Sequence, residues 1–189
     1  MSSMVEVAQA GSRLNFFERL QQSFGERDSR PVARQSSRQA KLDRRFQRQV
    51  VPYRTNQPVG TIVVSTGDKF LYLVLGKGKA MRYGIGTARS GFEWSGTHKL
   101  TAKRKWPGWT PPAAMRKRQP GLPAHMPGGI NNPLGARALY IGSTLYRIHG
   151  TNEPWSIGHN VSSGCIRMVN ADVEDLYERV KIGARVVVL

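Results

Sequence analysis

The chain has 189 residues, 39% of them hydrophobic, and a formal net charge of +17 from 29 Lys and Arg against 12 Asp and Glu. That length is enough for one hydrophobic core, and no stretch approaches the ~20 apolar residues of a membrane span. A single cysteine excludes an internal disulfide framework, and histidines scattered at 98, 125, 149 and 159 without metal-ligand spacing argue against a zinc peptidase.

Residues 1–58 form a basic, polar extension with eleven Arg or Lys and five Asp or Glu. Leu14, Phe17 and Leu20 to Phe24 can make a short amphipathic helix, and the Arg-, Gln- and Ser-rich stretch from Ser23 to Gln49 reads as a flexible linker. From Val59 the periodicity becomes that of strands. Thr61 to Val64, Phe70 to Leu75 and Ala80 to Ile85 are short apolar runs, the last two joined by a turn at Gly76-Lys77-Gly78-Lys79. That glycine pair opens no helix, so it is not a phosphate loop. Trp94-Ser95-Gly96 reads as a turn with His98 starting the next strand, and Pro111-Pro112 can open a short helix through Met115 to Arg118. His125 falls in a proline- and glycine-rich loop able to line a groove. Ala138 to Gly142 and Thr144 to His149 read as paired strands, and Ala184 to Leu189 as a terminal one. Between them, Asn170 is positioned to cap a helix with the apolar stripe Val173, Leu176, Tyr177 and Val180, ended by Gly183. The expectation is a mainly β domain over 59–189 with a few short helices.

Cys165 lies in Ser162-Ser163-Gly164-Cys165-Ile166-Arg167, downstream of His149-Gly150-Thr151-Asn152-Glu153. A lone thiol is either a small buried hydrophobe or a nucleophile. Glycine and serine on its flank, and a histidine held at a strand end, favour the nucleophile, because a thiol of pKa ~8.5 needs a base or a positive environment to react at neutral pH. The segment between them contains Asn152, Pro154, Gly158 and Asn160, a composition that folds back and can bring imidazole and thiol together. The N–H groups of Gly164 and Cys165 are candidate oxyanion donors, each worth about 2.7–4 kcal/mol in comparable sites.

These residues resemble the signature of the L,D-transpeptidases, the YkuD-type catalytic domain. The shared pattern is Ile148-His149-Gly150 followed by Ser162-Ser163-Gly164-Cys165-Ile166-Arg167-Met168, with similarity from about Gly60 to Leu189. The resemblance implies a β-sandwich-like fold and a Cys165 nucleophile, with His149 as general base and Gly164 and Cys165 as oxyanion donors. It also implies that Arg167, Gly150, Ser162 and Ser163 line the substrate, Arg167 either pairing with a carboxylate or bracing the loop. Ser163 stands where many members carry a second histidine, and His159 is the fallback for that ring. The implied reaction needs no cofactor or metal. Cys165 attacks the third residue of a peptidoglycan tetrapeptide stem, D-alanine leaves, and an amine on a second stem or an envelope protein takes the acyl group.

The positive charge has two readings. A basic, aromatic mixture such as Lys103-Arg104-Lys105-Trp106 with Arg116-Lys117-Arg118 suits nucleic acid. It equally concentrates an enzyme on an anionic cell wall, and no nucleic-acid-binding signature accompanies it. A hydrolase of the same scaffold, with water as acceptor, is a further alternative. The resemblance implies the periplasm or cell wall, although Met1 to Phe24 lacks the apolar run of a secretory signal.

Overall fold

A computed structural model describes residues 42–189; the expected helix over Leu14 to Phe24 and most of the segment from Ser23 to Gln49 lie outside them. Residues 111–123 belong to a compact unit distinct from the rest of the described chain. In that unit the helix expected after Pro111-Pro112 forms as α1 (Ala113–Arg118), where the Pro112 carbonyl accepts the N–H groups of Met115 and Arg116.

The other unit is mainly β. Its nine-stranded sheet runs β1 (Gln49–Pro52), β4 (Lys79–Gly84), β3 (Phe70–Gly76), β2 (Ile62–Ser65), β11 (Arg185–Val188), β6 (Gly96–Lys105), β7 (Arg137–Ile141), β8 (Arg147–His149) and β10 (Ile166–Arg167). A small parallel pair, β5 (Thr87–Ala88) with β9 (Asn160–Ser162), stands apart. Only β2 with β11 and β8 with β10 are parallel within the large sheet. The hairpin between β3 and β4 turns where expected, with Gly76, Lys77 and Gly78 all at positive φ.

Strand β6 joins the two halves. Its first residues pair with β11, and from Leu100 onward it pairs with β7, with an irregularity between Leu100 and Ala102. Such a bulge bends and twists a strand. Ile62, Val64, Leu71 and Leu73 from one half share a core with Leu139, Ile141, Ile148 and Ile166 from the other. Each such side chain stabilises by about 1.5–3 kcal/mol when removed from water. Helix α2 (Asn170–Arg179) adds Val173 and Leu176, and Val180 follows at its C-cap.

Several expectations change in detail. Gln49–Pro52 forms a strand against β4, so the sheet begins before the expected boundary at 58/59. The strand expected from Thr144 starts only at Arg147. Thr144 Oγ donates to the Ile141 carbonyl at 2.6 Å and accepts the Tyr146 N–H at 3.1 Å, a side-chain competition that keeps the segment a turn. Helix α2 has no side-chain cap. Asn170 Oδ1 instead accepts the backbone N–H groups of Ala136 at 3.0 Å and Thr151 at 3.2 Å. The helix ends with Val180 extended at the C-cap, ahead of Gly183, and Lys103 Nζ donates to the Tyr177 and Val180 carbonyls. A cation at a helix C-terminus satisfies orphan carbonyls and complements the dipole.

Candidate active site

The geometry of the site follows from one pairing. Strand β10 lies parallel to β8 with Ile166 opposite Ile148 and Arg167 opposite His149. Both isoleucines are buried in the core. Because side chains alternate along a strand, His149 and Arg167 occupy the other face, and so do their alternates Arg147 and Cys165. The His149 imidazole and the Arg147 and Arg167 guanidinium groups therefore share one face at the end of the sheet, with Cys165 immediately ahead of β10.

His149 is buried, and its Nδ1 lies 2.6 Å from the Gly150 carbonyl. A carbonyl only accepts, so Nδ1 carries the proton and Nε2 keeps the lone pair a base requires. Burial, with the charge of Arg167 adding to it, lowers the imidazole from its ordinary 6.5 to about 3; the Gly150 carbonyl opposes the shift. Gly150 has to be a glycine, because a Cβ there would stand 2.2 Å from Asn170 Oδ1. The Asn170 bond to Thr151 N–H thus fixes the backbone just beyond the histidine.

Cys165 is half-buried, and its Sγ donates to the Leu145 carbonyl at 4.0 Å. Burial raises the thiol pKa, while the Arg147 amide and guanidinium and the charge of Arg167 act against the rise. The preceding turn is tightly specified. Ser162 Oγ donates to the Cys165 carbonyl at 2.6 Å and accepts the Gly164 N–H at 3.2 Å. Gly164 has φ +110°, and its carbonyl accepts Trp94 Nε1 at 2.7 Å. Trp94 stacks on Tyr146 with ring centroids 4.4 Å apart, and Tyr146 lies against Gly164. Beside this turn is a cavity of about 220 Å³ bordered by Lys69, Thr87, Glu93, Trp94 and Asn160.

The remaining expected site residues separate by environment. Arg167 Nη1 pairs with Glu153 at 2.8 Å, and its backbone exchanges hydrogen bonds with Gly86, the pattern of a brace. Ser162 is buried in its turn, whereas Ser163 Oγ accepts from Arg89 Nη2 at 3.2 Å. His159 lies on another surface, lining a cavity of about 290 Å³ with Phe46 and Trp155. His98 is the third residue of β6 and packs edge-on against Trp94, and His125 Nδ1 lies 2.9 Å from Thr110 Oγ1. No group of three metal-ligating side chains occurs among the described residues.

Sequence reasoning missed Arg147, Asn170 and the Trp94–Tyr146 stack. A signal for Arg147 was present. Ile148 is a core residue, so period-two alternation sends Arg147 and His149 to the same side. The stack and the Asn170 bonds join distant segments and leave no local trace.

This fold is that of an L,D-transpeptidase catalytic domain. The chain belongs to the YkuD family, whose model, described as the L,D-transpeptidase catalytic domain, matches residues 47–188. The probable L,D-transpeptidase YbiS of Escherichia coli (strain K12) is 39% identical over 135 residues, covering 67% of this chain and 43% of that protein. The chain therefore spans less than half the length of that curated relative. A Brucella melitensis structure, described as a probable carnitine operon oxidoreductase, is 45% identical with a TM-score of 0.53, covering 78% of this chain and 96% of that one. L,D-transpeptidase 3 from Mycobacterium tuberculosis shares the fold with a TM-score of 0.52 at 19% identity, covering 70% of this chain and 61% of that one.

Proposed function

We propose that the protein is a cysteine-dependent acyltransferase acting on peptidoglycan tetrapeptide stems, with Cys165 as nucleophile and His149 as base. The observation that carries this reading is the β8–β10 register, which sets both side chains on one face with the Nε2 lone pair of His149 available. The site rests as neutral thiol and neutral imidazole, since burial disfavours both charged forms.

Attack begins when His149 Nε2 takes the Cys165 proton as Sγ bonds to the carbonyl carbon of the third stem residue. The oxyanion is held by the Cys165 N–H and by the Gly164 N–H, which exchanges its 3.2 Å bond to Ser162 Oγ for the substrate. Collapse breaks the amide bond, and the imidazolium gives its proton to the departing D-alanine nitrogen. An amine on a second stem or an envelope protein then attacks the thioester, passes a proton to Nε2 and regenerates the thiol. Arg167, held by Glu153, braces the loop, while Gly150, Ser162 and Ser163 shape the wall the stem lies against.

This substrate places the protein in the periplasm or cell wall. No helix among the described residues is long and apolar enough to cross a membrane. Intact-protein mass spectrometry with a tetrapeptide stem tests the reading. The wild type is expected to gain the mass of the stem minus D-alanine, and Cys165→Ala to gain nothing. Release of D-alanine by folded Cys165→Ala would overturn it. Release by the wild type with water as the only acceptor used, even when amines are supplied, would favour a hydrolase.

A further inference from the structure

Two guanidinium groups share the face of Cys165 and His149, and among the described residues only that of Arg167 has a carboxylate partner. Arg167 is neutralised by Glu153 at 2.8 Å. Among the described residues no carboxylate pairs with Arg147. Its guanidinium lies 5.2 Å from the centroid of the Tyr140 ring, and its Nε is buried with no hydrogen-bond partner. The Arg167 Nε also lacks a hydrogen bond, but that side chain has its carboxylate. The Arg147 side chain is half-buried, and a partly desolvated cation with no carboxylate beside it is suited to an anionic ligand.

Position indicates which part of the ligand. One step back along the β8–β10 pairing from Ile148 and Ile166, Arg147 stands beside Cys165, whose Sγ donates to the carbonyl of the neighbouring Leu145. The stem that the proposed reaction cleaves ends in a D-amino acid, whose carboxylate sits on the carbon next to the scissile nitrogen. That carboxylate is separated from the attacked carbonyl carbon only by the scissile nitrogen and the Cα of the departing residue, so a cation beside the thiol is suited to hold it. We propose that Arg147 is the substrate-binding residue that holds the terminal carboxylate of the acyl donor, making a free C-terminus on the departing residue a requirement. The identity of the donor rests on the acyl-transfer reading above; the carboxylate preference of the site does not. A guanidinium also presents a planar fork that matches a carboxylate, which a lysine does not.

The test uses the sole cysteine, which makes alkylation unambiguous. Iodoacetate and iodoacetamide react with the same thiolate, so the ratio of their rates cancels the thiol pKa and reports only the preference for a carboxylate. The ratio is expected to fall at least tenfold in Arg147→Gln and by a smaller factor in Arg147→Lys. An unchanged ratio in folded Arg147→Gln overturns the assignment. Should that variant fail to fold, the wild type decides. N-acetyl-D-alanine should slow alkylation by iodoacetamide while N-acetyl-D-alaninamide should not, and equal protection by the two, or none by either, overturns the assignment. Neither readout needs turnover. Failure of the stem peptide to form an adduct would therefore strike the acyl-transfer reading alone.

Discussion

A side chain at position 164 would meet the Tyr146 ring: its Cβ would fall 2.2 Å from Cε1, at a φ of +110° that L residues avoid. Tyr146 has little room to withdraw, because Trp94 stacks on it and also donates to the Gly164 carbonyl. Gly164→Ala is therefore expected to cost about 1–3 kcal/mol from backbone strain and to slow Cys165 alkylation by displacing the turn. Denaturant unfolding and the iodoacetamide rate measure the two effects. His149 carries a pH signature of its own. Unfolded, its imidazole takes a proton near its ordinary 6.5; folded, burial and Arg167 hold it at about 3. Its contribution to stability is full above about 6.5 and is lost as pH falls toward 3, because the unfolded chain binds more protons across that window. Melting temperatures from pH 7.5 to 4 should fall less steeply for His149→Gln than for the wild type. Equal slopes would mean that the ring titrates normally in the folded protein.

Helix α2 carries a titration of the opposite sign. Burial raises Asp172 to about 6, with Arg48 pulling it down and Asp175 pushing it up. The folded state therefore holds this proton more tightly than the unfolded state does. The contribution is full below about 3.8 and is lost as pH rises through 6. Asp172→Asn is expected to stabilise the protein relative to wild type at pH 8 and to make no difference near pH 3.5, read as the change in melting temperature. Destabilisation by Asp172→Asn at pH 8 would show that its ion pair with Arg48, at 3.9 Å, outweighs its burial. The same helix shows what local pattern reveals and what it hides. Val173, Leu176 and Val180 follow helical spacing, so their burial was legible, as were the apolar runs of β2, β3 and β4. Asn170 looked like a cap because its neighbours are those of a helix start. Its true partners are the N–H groups of Ala136 and Thr151, on loops that approach only in the folded chain. Cys165 and His149 stood out as candidates, since a thiol flanked by small residues and a strand-end histidine are local facts. Alternation about Ile148 puts Arg147 on the side of His149, but its nearness to Cys165 needed the register of a parallel pair.

Across the whole chain, a formal charge of +17 suggests a surface devoted to cations, yet many of them have internal uses. Lys103 closes α2, Arg137 pairs with Glu174 at 3.4 Å, and Arg48 pairs with Asp175 at 3.1 Å. Lys103 and Arg104 are neighbours in β6 and so point to opposite faces, which divides the run that resembled a nucleic-acid patch. Arg48 also helps mark where the domain begins. It lies beyond the expected boundary at 58/59, in a segment that β1 and Phe46 tie to the rest of this unit. Phe46 is 4% exposed, its ring stands where a Cβ on Gly158 would be, and its own Cβ fills the same role at Gly84. Since Gly158 belongs to the segment between His149 and Cys165, this contact ties Phe46 to that segment. Strand β1 shows little apolar alternation because it pairs only with β4 at the sheet edge and is largely exposed, which is why it escaped a reading based on periodicity. Phe46→Ala should cost about 3–5 kcal/mol, the range for emptying a buried aromatic site. A chain starting at Leu42 should melt cooperatively and alkylate at Cys165, whereas one starting at Val59 loses Phe46, β1 and the Arg48 pairs together and should melt far lower or not cooperatively. Matching melting curves for those two chains would put the start of the folded domain back at residue 59 and make the segment from 43 to 52 a dispensable attachment.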